Sequence, residues 1–207
     1  AADGGTHHFL PVHGDDGVSR VDFIFKDNGR GPELKEEYVL AADGTFATYS
    51  VKGTSTFGAP VDEQFRIENG MAVWKSTSDA GELPLQEGAA YSPLGGSPQG
   101  LSVALSALSR RSDGKLPLIP SGTLTMRQVA EVEVVKGAEK RKVQLVMLTG
   151  VGFTPTFVWA TTEAQPRMFA FIFPGYLQLI EDGWQGNGDA LEARQKLAEG
   201  EALSDFN

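Results

Sequence analysis

The chain has 207 residues, and 18 basic against 27 acidic side chains give it a net charge of −9 at pH 7, a field that repels nucleic acid and anionic membrane surfaces. It has no cysteine, which excludes disulfides, thiolate nucleophiles and cysteine-ligated metals. No apolar run reaches the ~18 residues that a membrane-spanning helix needs, and a chain this long buries roughly 70% of its unfolded surface without staples.

The start, "AADGGTHHF", is small and polar, as an end left by signal-peptidase cleavage is, or as a trimmed or tagged end is. The first of these gives the expectation of a periplasmic or secreted location. His7, His8 and His13 are the only histidines. His7 and His8, adjacent on a strand, point to opposite faces and so rarely share one metal. Solvated terminal histidines are expected here, with no metal and no cofactor.

The main signal along the chain is period two, the mark of half-buried strands. In "VSRVDFIFK", Val21, Phe23 and Phe25 alternate with polar residues. "FKDNGRGPEL" then poses a choice between a phosphate cradle and a turn. It lacks the third glycine of a dinucleotide fingerprint and the Gly-Lys-Ser/Thr ending of a P-loop, and a strand follows it rather than a helix. Asp27, Asn28, Gly29 and Gly31 are turn formers, so a turn is expected, with Arg30 exposed or clamped to Asp27. Hairpins are expected next at Asp43-Gly44, as a two-residue turn, and at Asn69-Gly70. Two more are expected around "KGAEKR" and around the open turn Glu163 to Arg167. About eight hairpin-joined strands predict a mainly β fold: a curved antiparallel sandwich or open barrel with one to three short helices.

Between the strands, "STSDAGELPLQEGAAYSPLGGSPQG" reads as a long surface loop, or as a linker. "SPQGLSVALSALSRR" predicts a helix with Ser97 as N-cap, Pro98 at its first position, and Leu101, Leu105 and Leu108 on one face. Short helices are expected over "GYLQLIEDGW" and over the tail "NGDALEARQKLAEGEAL". The tail face of Leu191, Gln195 and Ala198 is too weakly apolar to dock strongly without a further partner. These readings give an extension over 1–17, one β-rich domain over 18–187 and a helical tail over 188–207.

Candidate sites are few. No Gly-x-Ser-x-Gly elbow is present, and "PSGT" reads as a turn. A two-carboxylate hydrolase could use Asp62 or Glu63 with a distant partner, though not the two together, because adjacent strand residues point opposite ways. Arg30 is the other residue an unrecognised site would use. Trp74, Phe169 and Phe171 could line a groove for a small hydrophobic ligand if the sheet curls, with core packing as the default for such aromatics.

Six pieces in order, "FKDNGRGPEL", "FGAPVDEQF", "MAVWKS", "LPLIPSG", "TPTFVWATTEAQPRMFAF" and "EDGW", carry a resemblance across most of residues 18 to 198. They resemble the non-catalytic region that precedes the catalytic domain in exported bacterial imidazolonepropionase-like amidohydrolases. The resemblance implies an accessory β domain that packs on or gates a separate metal-dependent (β/α)₈ barrel, with its polar tail leading into that barrel. It transfers no catalytic residue, since this chain has no His-x-His and no strand–helix alternation. The alternative expectation is a cell-envelope module that holds a small hydrophobic ligand in a curved β-sheet.

Overall fold

The structure, a computed structural model, describes residues 7–204, with the side chains of residues 7–10 and 203 outside the description. The fold is mainly β, with antiparallel, hairpin-connected strands in two sheets and few helices. Contacts divide the chain into two compact units. One comprises residues up to Gly100 with Pro117–Ser121, and the other Leu101–Leu116 with residues from Gly122 onward. The sequence reading draws an extension over 1–17, one β-rich domain over 18–187 and a helical tail over 188–207.

The first unit contains a seven-stranded meander paired in chain order. Its strands are β1 (His7–His13), β2 (Ser19–Phe25), β3 (Glu33–Leu40), β4 (Phe46–Thr54), β5 (Pro60–Glu68), β6 (Met71–Lys75) and β7 (Ala80–Pro84). Period two holds along β2, where Val21, Phe23 and Phe25 are buried, and along β3, where Leu34, Glu36 and Tyr38 are buried.

The turn chemistry follows the sequence at two of three positions. Asp27 and Arg30 exchange backbone hydrogen bonds around Asn28 and Gly29, which have φ values of 50° and 76°. That is a two-residue hairpin turn and no phosphate cradle. Arg30 is exposed, and Asp27 accepts from the Asn28 amide instead. Asn69-Gly70 forms the same kind of turn, with φ of 51° and 76°. Asp43-Gly44 does not make the expected two-residue turn. The loop there closes from Ala41 to Thr45, and Gly44 alone has positive φ. The Asp43 carboxylate is diverted to the Thr45 amide and hydroxyl, and the ladder shifts register at Val39/Leu40.

The expected surface loop after β6 is ordered structure. It contains β7 and a short strand, β8 (Ala90–Tyr91), and its residues Ala89, Ala90, Tyr91 and Ser97 are buried. Helix α1 (Gln99–Ser109) starts where the sequence places it, and the Ser97 hydroxyl accepts from the Gln99 amide at 3.2 Å. Val103, Leu105, Ala107 and Leu108 form its buried residues. After α1 comes β9 (Lys115–Ile119), which runs parallel to β8 through Ala90↔Leu118 and Tyr91↔Ile119. The helix supplies the crossover that such a parallel pair requires.

The second unit carries β10 (Thr123–Lys136), β11 (Glu139–Thr149), β12 (Thr156–Thr161), β13 (Met168–Phe173) and β14 (Leu177–Ile180), paired in that order. The β10–β11 turn is only Gly137-Ala138, so the flanking charged residues of "KGAEKR" lie on strands. A helix over "GYLQLIEDGW" is not found. Leu177–Ile180 is β14, because pairing with β13 satisfies its backbone. A 3₁₀ turn at Gln185–Asn187 leads into α2 (Gly188–Ser204).

Contrary to the expectation of a poorly docked tail, α2 is part of this unit's core. Leu191, Gln195, Ala198 and Ala202 are buried with Trp159, Phe169 and Trp184. Two alanines let the helix approach closely, and Gln195 is satisfied where an apolar residue would be expected. It accepts from Trp159 Nε1 at 3.1 Å and donates to the Ile172 carbonyl at 3.1 Å and to Glu199 at 2.7 Å. Packing, rather than a strongly apolar stripe, stabilises this helix.

Candidate functional site

Two adjacent cross-strand rows on the inner face of the β1–β7 sheet form the candidate site. One runs Val21, Glu36, Val51, Glu63 and the next runs Ser19, Tyr38, Tyr49, Phe65, Trp74. Aromatic rings fill the second row: Phe46 meets Tyr38 edge-on at 5.2 Å and Tyr49 at 5.0 Å. The first row places two acidic side chains among apolar neighbours, each only 2% exposed.

Residues 91–97, "YSPLGGS", close over both rows. The Tyr91 ring stacks on Phe65 with centroids 4.3 Å apart and planes 5° from parallel. Its hydroxyl donates to Glu63 Oε1 at 2.6 Å, and the Leu94 and Gly95 amides donate to the same carboxylate at 2.9 and 2.8 Å. The Ser97 amide donates to Glu36 Oε1. A side chain at Gly95 would meet Val61 Cγ1 at 2.8 Å, and one at Gly96 would meet the Tyr49 hydroxyl at 2.6 Å. The two glycines are what allow this segment to lie directly on the sheet.

A buried carboxylate is stable only when its lone pairs are satisfied. Here the donors come from one segment, so Glu36 and Glu63 act as a clasp. Burial raises the Glu36 pKa, the Ser97 amide and hydroxyl partly offset it, and the nearby Glu63 adds to the rise. Burial also pushes the hydroxyl of Tyr49 upward, with Glu36 and Glu63, and that of Tyr91, with Glu63 and Asp79.

The Tyr49 hydroxyl is the exception in this network. It is buried and close to the Glu36 carboxyl, yet among the described residues it completes no hydrogen bond of acceptable geometry. The Glu36 carboxyl does interact with it, raising the tyrosine pKa and partly lowering that of Glu36, although the pair does not meet good hydrogen-bond geometry. An unpaired buried hydroxyl costs about 1–3 kcal/mol.

The sequence candidates are distributed as follows. Glu63 is on the inner face, and its neighbour Asp62 is exposed, 4.0 Å from Lys52. Glu36, which the sequence reading did not single out, is the other buried carboxylate of this face. The signal was present, since Glu36 is in phase with Leu34 and Tyr38, and Glu63 with Phe65. Trp74 is half-buried at the end of the aromatic row, with its indole donating to Asp79 at 2.9 Å. Phe169 and Phe171 belong to the second unit. Phe169 is buried edge-on against Trp184 at 5.8 Å. A register shift opposite Trp159/Ala160 changes the inward phase to Ala170 and Ile172, leaving Phe171 on the other face. His13 shares a hydrogen bond with the Ser19 hydroxyl at 2.8 Å, and the side chains of His7 and His8 lie outside the described residues. Among the described residues, no group of three metal-ligating side chains forms, and no helix is long and apolar enough to cross a membrane.

No family model matches this chain, and no curated protein matches it. Among solved structures it is similar to a DUF1089 family protein from Pseudomonas aeruginosa, at 12% identity and a TM-score of 0.40, over 87% of this chain and 94% of that one.

Proposed function

We propose that the first unit is a binding module for a small amphipathic ligand, with residues 91–97 as its displaceable cover. The ligand's apolar body lies along the Tyr49–Phe65–Trp74 row, and its polar end pairs with the Tyr49 hydroxyl. The buried Tyr49 hydroxyl, which meets the Glu36 carboxyl without good hydrogen-bond geometry, carries this reading. A group that costs stability when unpaired gains most from a ligand that pairs it. The cover supports the reading too, because beyond the buried, β9-paired Tyr91 its residues 94–97 are attached through hydrogen bonds to two carboxylates, and Leu94 at its centre is exposed. A location in the cell envelope belongs to the same proposal.

Native mass spectrometry of the freshly purified chain tests it. The expected result is a co-purifying small amphiphile, or saturable one-to-one uptake of added long-chain alcohols and acids. No adduct with any member of a chain-length series contradicts it. The other reading, an accessory domain that packs on or gates an amidohydrolase barrel, rests on the sequence resemblance alone. Its test is whether the encoding reading frame continues into a His-x-His barrel.

A further inference from the structure

Two hairpin tips of the first sheet stand side by side. The β2–β3 turn closes through Asp27 and Arg30, and the β4–β5 loop closes through Ser55, Gly58 and Ala59. Glu33 pairs with Thr54 at the base of both. Between the tips lies a cavity of about 400 Å³, lined by Lys26, Arg30, Thr54, Thr56 and Phe57 over glycine backbone. Among the described residues no acidic side chain lines it, although acidic residues outnumber basic ones by 27 to 18 in the chain. Arg20, Arg66, Arg111, Arg141 and Arg167 each pair with a carboxylate. Arg30 is exposed and forms no ion pair among the described residues. Phe57, on the facing tip, is 88% exposed.

We propose that this cavity binds a small aromatic carboxylate, with the Arg30 guanidinium pairing its carboxylate and Phe57 packing on its ring. Charge and donor supply select this ligand. The Lys26 ammonium is already shared between the Gly31 carbonyl at 3.0 Å and Glu33 at 3.7 Å. Arg30 therefore supplies the one uncompensated positive charge, which matches a monoanion. Its planar fork fits a carboxylate with two parallel hydrogen bonds. A phosphate dianion is better held by an array of free backbone amides. Here the Arg30 and Gly58 amides are both spent inside their own turns. An exposed phenylalanine adds nothing to the binding of a bare inorganic anion, but it offers a planar ring an offset or edge-on partner. The volume falls in the range of small-molecule sites and admits one or two fused rings. None of these residues belongs to the covered rows or to residues 91–97, so the site stands independently of the ligand reading of that face.

Titration of the intact chain by amide-resolved nuclear magnetic resonance tests the proposal, with 1-naphthoate, 1-naphthalenemethanol and inorganic phosphate as probes. Naphthoate is expected to shift the amides of Gly29, Gly31, Thr56 and Gly58 saturably, and the alcohol and phosphate to bind at least about tenfold more weakly. Arg30→Gln should weaken naphthoate binding by a similar factor, and Arg30→Lys, which keeps the charge and loses the fork, by less. Phe57→Ser should weaken it about fivefold, the equivalent of one aromatic contact. Arg30 and Phe57 are exposed, so thermal unfolding of these variants should match the wild type. Tyr49→Phe should bind naphthoate as the wild type does, which separates this cavity from the covered face. Absence of saturable shifts, shifts confined to the covered face, or equal naphthoate affinity in wild type and Arg30→Gln overturns the proposal. So does binding of the alcohol or of phosphate as tight as that of naphthoate.

Discussion

Glu36 and Glu63 stand in one cross-strand row with only Val51 between them, both facing the interior, and both hold the same seven-residue cover. Two strand spacings separate their backbones, about 10 Å. The cover spans that interval, with Tyr91 to Gly95 on one carboxylate and Ser97 on the other.

The clasp predicts an asymmetric response to substitution. Glu63→Ala removes the acceptor of the Tyr91 hydroxyl and of two amides, and leaves those donors buried. A loss of about 3 kcal/mol in urea denaturation is expected, with much faster proteolysis within residues 92–97. Glu63→Gln keeps an acceptor and should lose less. Unchanged cleavage in Glu63→Ala would show that the cover is held by other contacts.

Tyr49→Phe separates stability from binding. Deleting a buried hydroxyl that lacks good hydrogen-bond geometry should stabilise the ligand-free protein by about 1 kcal/mol, since the ring still packs on Phe46. The same change should weaken ligand uptake. A destabilised Tyr49→Phe protein would mean that the hydroxyl is already satisfied within the fold.

Glu36 predicts a pH dependence of defined sign. Its folded-state pKa lies above the ordinary 4.5, chiefly through burial. Below 4.5 both folded and unfolded chains are protonated, and its stabilising contribution is complete. As pH rises, the unfolded chain loses the proton first, so this contribution is lost as pH passes through the raised folded value. Glu36→Gln should lack that slope. The check is the difference in unfolding free energy between wild type and variant from pH 4 to pH 8, which should shift in the variant's favour as pH rises. A flat difference would contradict the burial argument.

In the second unit, Gln195→Ala should cost about 2–4 kcal/mol, because it leaves Trp159 Nε1 and the Ile172 carbonyl without partners and opens a cavity. Near-ultraviolet circular dichroism, sensitive to Trp159 and Trp184, should change with it. A neutral effect would indicate that α2 is only loosely docked.

Much of the fold was legible locally. Asn28-Gly29 and Asn69-Gly70 specify their turns because both dipeptides tolerate positive φ at both positions, and alternation marks β2, β3 and β5. Asp43-Gly44 misled because an aspartate can leave the turn to bond Thr45. β14 and α2 were obscured for a different reason. Leu177–Ile180 is a strand by pairing with β13, and α2 docks through two alanines and a glutamine whose partners are far away in sequence. The candidate site was half legible. The phase of β3 and β5 puts Glu36 and Glu63 inside, but nothing local to "YSPLGGS" says that it covers them.

The most direct test of the account is a paired titration of wild type and Tyr49→Phe with a polarity-sensitive naphthylamine dye, followed by displacement with a long-chain alcohol. The account predicts saturable wild-type binding displaced by the alcohol, and at least about tenfold weaker alcohol affinity in Tyr49→Phe, the equivalent of one lost hydrogen bond in a buried site. Absence of saturable binding in the wild type, or identical alcohol affinities in the two proteins, would contradict it.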